Sequence, residues 1–397
     1  MTLPLAGLTV IGFEQAVAGP LCTRHLADLG ARVIKVEHPR GGDFSRSYNQ
    51  AVQGLSSYFV WLNRSKESVA VDAKTPGGAA VIKRLIATAD VVVQNLSPGA
   101  ASRLGVAAQQ VVAANPRAVA VDISGYGTGG AYDHKRAYDL LVQAEGGVCS
   151  ITGTSEHPAK AGAPLADLGA AMYALSGILA ALFDRERTGR GTALQVAMFD
   201  VVAEWIGFAL QHTRHTGVEQ PPNGMSMPTV APYGAFPTAD GQTVVLGTTN
   251  DGEWQRLARD LIGRPDLAAD ARLASNADRC AHRAEIDQAI TAWTVRRDLA
   301  VIQSAADAAG VGNAKYNTVG EVLAHPQLTE RGRWQPVGSP AGPLDVLLAP
   351  LVSPGWEQRL DPVPGLGQHT RSVLAGLGYS ADDIEQLRAG SAIPADC

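Results

Sequence analysis

Within the first 124 residues short β-type runs take turns with helical stretches, and this alternation narrows the fold more than any other feature. GLTVIGF at 7–13 is strand-like; Ala18-Gly19-Pro20 then opens a helix reaching Ala27, with Pro20 near its start and Gly30 beyond its end. RVIKVE at 32–37 is a second strand. A strand at 69–72, a helix over 77–87, a strand at 90–94, a helix near 107–113 and a strand at 118–123 continue the pattern. Strands joined through helical crossovers run parallel, so the expected fold is α/β, with a Rossmann-like large domain whose parallel sheet is covered on both faces. The first strand is followed by EQAVAGP rather than GxGxxG, and there is no Walker A sequence, so no motif supports NAD or ATP.

One stretch stands apart, APLADLGAAMYALSGILAALFDRERTGRG at 163–191. Its run 170–183 is apolar on every side, and Arg185, Arg187 and Gly189 suit a helix C-terminus. Asp167 precedes the run, where Asp is a favoured N-cap. A carboxylate at the positive end of a buried helix is expected to be held ionised, as a carboxylate nucleophile requires, and Gly169 is expected to leave room for a ligand. The structural role open to the same residue is that of a simple cap.

At 397 residues the chain is too long for one ordinary domain. After the Asp167 helix, 192–211 begins strand-like and becomes a second long apolar helix. Around 212–228 the composition turns rich in Pro and Gly, and a hairpin signal at Ala239-Asp240-Gly241 follows. The expected division is a large domain of 1–200 and 331–397, a linker over 201–227 and a small α+β domain of 228–330. Helices are expected at 253–261, 283–296, 299–309 and 381–389, with a strand at 344–347. A net charge of -5 with no Lys/Arg-rich block gives no basis for nucleic-acid binding. No apolar run reaches membrane-spanning length, and the N-terminus lacks the basic start of a signal peptide, so no membrane association and a cytoplasmic location are expected. Cys22, Cys149, Cys280 and Cys397 are scattered and read as reduced thiols. His38, His134, His325 and His369 show no metal-ligand spacing, and no metal is expected.

Several local sequences occur together in one order: AVAGP with LADLGARVIKVEHPRGGD (26–43), YFVWLNRSKESVAVD (58–72), DVVVQNLSPGAASRLG (90–105), SGYGTGG (124–130), RAYDLLVQAEGG (136–147), ADLGAAMYALSGILAAL with RTGRG, PYGAFPTADG, and NTVGEVLAHPQL (317–328). The set closely resembles the class III CoA-transferases, the formyl-CoA transferase and carnitine CoA-transferase family that also includes α-methylacyl-CoA racemases. The resemblance covers nearly the whole chain. It implies an interlocked homodimer and coenzyme A or acyl-CoA as substrate, with no metal, NAD or flavin.

The resemblance places the nucleophile at Asp167. Its carboxylate would attack an acyl-CoA thioester, expel CoA thiolate and form an acyl-aspartyl anhydride, keeping the acyl group activated where hydrolysis would dissipate it. Leu62, Lys66, Asn95, Leu96 and Arg103 match positions lining the adenine and phosphate end of CoA, and Arg136 and Tyr138 match positions near pantetheine and the active site. Val17 replaces a glutamine of formyl-CoA transferase, and LGTTNDGEW at 246–254 replaces its closing glycine run; both point away from formate and oxalate. The racemase branch has a histidine where this chain has Tyr138, a poor base near neutrality, so transfer is favoured. Residues 310–334 resemble members acting on short dicarboxylic acids. Arg46, Arg64 and Lys315 are cations by type for a second carboxylate. The alternatives are an acyl-CoA racemase and a non-catalytic CoA-binding paralogue.

Overall fold

The computed structural model describes residues 2–395. They form two compact units, one of residues 2–148, 161–207 and 332–395, the other of residues 149–160 and 208–331.

The first unit is built on a six-stranded parallel sheet: β1 (Thr9–Phe13), β2 (Arg32–Glu37), β3 (Lys66–Ala70), β4 (Val91–Gln94), β5 (Val119–Ser124) and β6 (Ala193–Ala197). Their order is β3-β2-β1-β4-β5-β6, with every pairing parallel. The central strands are apolar on both faces because helices cover both. These helices are α1 (Ala18–Asp28), α2 (Ser57–Asn63), α3 (Pro76–Thr88), α4 (Ala100–Leu104), α5 (Ala108–Ala114), α6 (Asp139–Glu145), α8 (Leu165–Thr188) and α9 (Met198–Trp205), while the short α7 (Val148–Ile151) runs from Val148 into the second unit. Ile11, Ile34, Val69 and Val92 of the sheet share one core with Val81 and Leu85 of α3, Val111 of α5 and Leu374 near the C-terminus. The C-terminal residues close the β3 edge: the Ala70 N–H donates to the Thr370 hydroxyl at 3.0 Å, and the His369 N–H donates to the Ser68 carbonyl at 2.9 Å.

The third strand lies earlier than the expected 69–72, and the strand-like start expected at 192 forms β6, paired with β5. The long helix expected after β6 is broken into α9 and α10 (Gly207–Thr216), so the expected linker is helical as far as Thr216. Residues 149–160, expected in the large domain, belong to the second unit. Helix α8 ends as its sequence predicts, with Gly189 left-handed at φ 70° and the buried Arg185 paired to Asp90 at 3.0 Å. By length and composition α8 passes for a membrane-spanning helix, but half of its apolar window is buried as it packs on α1, β5, β6 and α9. Met172, Tyr173, Leu179 and Phe183 remain exposed on its other side, so it is not apolar-covered all round.

The second unit holds the antiparallel sheet β7 (Tyr233–Pro237), β8 (Thr243–Gly247) and β9 (Gly312–Lys315), with the hairpin turn at the expected Ala239-Asp240-Gly241. Trp254, Leu257, Ile286, Ile290 and Ile302 pack beneath it. A two-stranded ribbon, β10 (Trp334–Val337) and β11 (Leu344–Leu347), returns to the first unit. Cys22, Cys149 and Cys280 are free thiols, and Cys397 lies outside the described residues.

Candidate active site

The site grows from the carboxyl ends of β1 and β4. The sheet order reverses between these neighbours, so the loops that leave them diverge and open a crevice, the usual ligand position in such a sheet. Asn95, the first residue after β4, bridges that crevice. Its Oδ1 accepts the Gln15 N–H at 2.8 Å and its Nδ2 donates to the Gln15 carbonyl at 2.9 Å. Gly19 permits this approach, since a Cβ there would stand 2.8 Å from Glu14 Cβ and 3.1 Å from Asn95 Oδ1.

A buried ionic cluster supports the loop. Glu14 Oε1 meets Lys66 Nζ at 2.7 Å and Lys35 Nζ at 3.3 Å, the Thr23 hydroxyl donates to Oε2 at 2.6 Å, and Lys35 reaches Asp43 at 2.8 Å. Burial opposes the charges of Glu14 and Asp43, yet the lysines outweigh it and hold both carboxyls below the usual range. Burial lowers Lys66 to about 8 despite Glu14.

Asp167 is the third residue of α8, not its N-cap. Pro164 occupies the cap position without a side-chain bond, and Asp139 performs the capping: its Oδ1 accepts the Ala166 N–H at 2.9 Å and the Asp167 N–H at 3.5 Å, while Gln143 Nε2 donates to its Oδ2 at 2.7 Å. The favourable place for an anion is therefore taken by Asp139. Asp167 is half-buried beside it, and its carboxyl is pushed up to about 7, first by burial and then by the Asp139 charge, against a bond from the Ala18 backbone N–H. The expected preference for the ionised form is thus corrected; near neutrality the two forms coexist. Gly169 is corrected too. A Cβ there would stand 2.5 Å from Val201 and 2.9 Å from Trp205, so the glycine admits α9 rather than a ligand.

A cluster of aromatic side chains lies within electrostatic reach of the carboxylate. Burial first, and then the Asp43 and Asp167 carboxylates, push the Tyr48 hydroxyl up. Tyr48 stacks edge-on against Tyr58 at 5.3 Å and tilts against Phe44 at 5.8 Å. Tyr138 is exposed next to Asp139.

A family model described as CoA-transferase family III matches residues 5–370. The chain belongs to CoA-transferase family III. The succinyl-CoA–D-citramalate CoA-transferase of Chloroflexus aurantiacus is 33% identical over 397 residues, covering 97% of this chain and 97% of its own. The succinate–glutarate CoA-transferase of Agrobacterium fabrum is 34% identical over 386 residues, covering 94% and 96%. Among solved structures, a CAIB/BAIF family protein from Brucella suis has a TM-score of 0.82 at 31% identity, covering 95% of this chain and 100% of its own.

In this family III CoA-transferase the predicted site residues fall into two sets. Asp167 lies in α8 and Tyr138, exposed, directly precedes the Asp139 that caps that helix, while Asn95 and Leu96 stand at the end of β4, Asn95 clasping the β1 loop. Arg103 and Arg136 are exposed, and no ion pair holds either among the described residues. Leu62 and Lys66 are interior. The Lys66 ammonium spends its three N–H groups on Glu14 at 2.7 Å, the Pro20 carbonyl at 2.9 Å and Asn63 Oδ1 at 2.9 Å, which leaves no donor for a phosphate. The three candidate cations for a second carboxylate are engaged as well: Arg46 forks onto Glu37, Arg64 onto Asp28, and Lys315 pairs with Glu321. Residues 246–254 end β8 and open a helix at Asp251, where Asn250 accepts the Glu253 N–H at 2.9 Å. His38, His325 and His369 accept backbone N–H bonds from Arg40, Gln327 and Ser68.

Sequence reasoning missed Asp139, Tyr48, Tyr58 and Asp43. Asp139 opens its own helical run, DLLVQAE, and no local signal says that it caps a helix 26 residues later. The clustered aromatics and the acid in the stretch 43–61 were the available signal for the others.

Proposed function

We propose that this enzyme moves CoA from an acyl-CoA thioester, with succinyl-CoA as donor, to a short-chain dicarboxylic acid through Asp167. The observation that carries the reading is a half-buried Asp167 carboxylate near the start of α8, a helix that packs on α1 just past the β1 loop, where the Ala18 N–H favours its ionised form. The ionised Asp167 oxygen attacks the thioester carbonyl carbon, and the C–S pair leaves with CoA thiolate, giving the mixed anhydride. Thiolate attack on the aspartyl carbonyl then releases the donor acid and leaves aspartyl-CoA thioester, which the acceptor carboxylate and thiolate resolve by the same two steps in reverse. Each bond broken is replaced by an activated acyl bond, so no external energy is required. Arg103 and Arg136 are the exposed cations suited to CoA phosphates. The succinyl donor is supported by the relatives named for succinyl-CoA–D-citramalate and succinate–glutarate transfer. We read the enzyme as a cytoplasmic homodimer with interlocked chains; the exposed apolar side chains of α8 are a surface that a second copy would cover.

The test uses purified protein in heavy water with succinyl-CoA, methyl-branched acyl-CoAs and a panel of short acids, with every CoA thioester identified by mass. A new thioester without α-deuterium supports transfer and names the acceptor. Deuterium at an α-carbon with no new thioester means racemisation instead.

A further inference from the structure

The β1 loop is held more firmly than its length requires. Glu14 is fixed by Lys66, Lys35 and Thr23, the Gln15 backbone is clasped from both sides by Asn95, and the Gln15 side chain accepts the Phe44 N–H at 3.1 Å. Ala16 then takes φ 58°, left-handed backbone that a residue with a Cβ adopts only when its surroundings impose it. Fully buried Asp43 imposes it: Oδ1 accepts the Ala16 N–H at 3.1 Å and the Ser45 N–H at 2.8 Å, while Oδ2 is anchored by Lys35 at 2.8 Å. One residue on, Val17 is the N-cap of α1 and makes no side-chain cap, so the first N–H groups of the helix are left for an external partner; α1 packs on α8, and the Ala18 N–H acts on the Asp167 carboxylate.

We propose that Asp43 is a positioning residue for Asp167: anchored by Lys35, it holds the left-handed turn at Ala16 that aims the Ala18 N–H at the Asp167 carboxylate. The proposal rests on the reading of Asp167 as nucleophile only for its catalytic consequence; the geometric claim stands on its own. A strained turn, a fully buried acid and a buried lysine are then the means by which a backbone donor is kept in place through the reaction. The other ionisable groups that act on Asp167 are Asp139 at the α8 N-terminus and Tyr48, whose ring meets Tyr58.

The experiment compares wild type, D43N, the double variant K35M/D43L and D43N/A16G. K35M/D43L removes both charges together and the Ala16 acceptor, and apolar replacement of a buried pair is commonly tolerated by the fold. Two readouts are taken: the titration of the Asp167 carboxyl by carbon NMR of labelled aspartate, assigned with D167N, and the pH profile of kcat. Losing the Ala18 donor moves the Asp167 titration and the acid limb of kcat to higher pH, and kcat falls roughly tenfold or more, as misplacement at a reacting group does. Adding A16G to D43N restores part of both, because glycine adopts the turn without the clamp. An Asp167 titration unchanged in folded K35M/D43L overturns the proposal. The NMR readout needs no turnover, so an enzyme that shows no transfer defeats the functional reading while the positioning claim is still decided.

Discussion

The Asp139 carboxylate accepts the backbone N–H of Asp167 at 3.5 Å, so two acids share one helix N-terminus and only one of them enjoys it. Asp139 caps the helix, and Asp167, half-buried beside it, carries a carboxyl raised to about 7. Under the proposed mechanism, the group that must be ionised to attack is thereby set to titrate near neutrality.

The first expectation is a kcat that rises with pH through about 7, since protonated Asp167 cannot attack. In Asp139→Asn the amide oxygen still accepts the Ala166 N–H but the neighbouring charge is gone, so the acid limb moves to lower pH. Burial, the larger cause, keeps it above that of a free aspartate. Stopped-flow or steady-state pH profiles of both proteins decide this; an unmoved limb removes Asp139 from the account.

Stability gives an independent reading of the same group. Its folded pKa of about 7 lies above the unfolded value, so its favourable contribution is fully present below about pH 4 and is lost as pH rises through about 7. Three units correspond to at most about 4 kcal/mol, less whatever solvent reaches the half-buried group. Asp167→Asn is therefore expected to be inactive yet more resistant to urea than wild type at pH 8, with the advantage shrinking toward pH 4. Equal advantage at both pH values contradicts the raised carboxyl.

The parallel sheet was legible because period and turn chemistry agreed: Pro20 and Gly30 bracket α1, and the apolar runs at 32–37 and 90–94 are strands almost residue for residue. Asp167 was singled out through the resemblance. Its electrostatics were not legible, since they depend on Asp139, an acid remote in sequence that takes the cap. Lys66 failed for the same kind of reason. A lone lysine reads as a surface cation, and only the tertiary fold shows Glu14, Pro20 and Asn63 consuming its donors.

Lys66→Met leaves Glu14 with Lys35 alone and strips the Pro20 carbonyl and Asn63 of a donor, a loss expected to cost about 3–5 kcal/mol of folding stability. In whatever fraction stays folded, KM for acyl-CoA is expected to match wild type, whereas Arg103→Ala and Arg136→Ala raise it. Denaturant melts and steady-state kinetics separate these; a selective KM effect of Lys66→Met would return the lysine to the CoA site.

Gly169→Ala drives a methyl into Val201 and Trp205, between α8 and α9. Such overpacking costs about 1–3 kcal/mol, read as a lower urea midpoint. An unchanged midpoint together with a raised KM would mean that the glycine serves the ligand after all.

The most direct measurement is chemical trapping. Wild type is incubated with succinyl-CoA and hydroxylamine, digested, and the peptide spanning α8 is sequenced by mass spectrometry. The account predicts a hydroxamate on Asp167, formed only with the acyl-CoA and absent in Asp167→Asn. Turnover to a new CoA thioester with Asp167 unmodified, or the hydroxamate on another carboxylate, would contradict it.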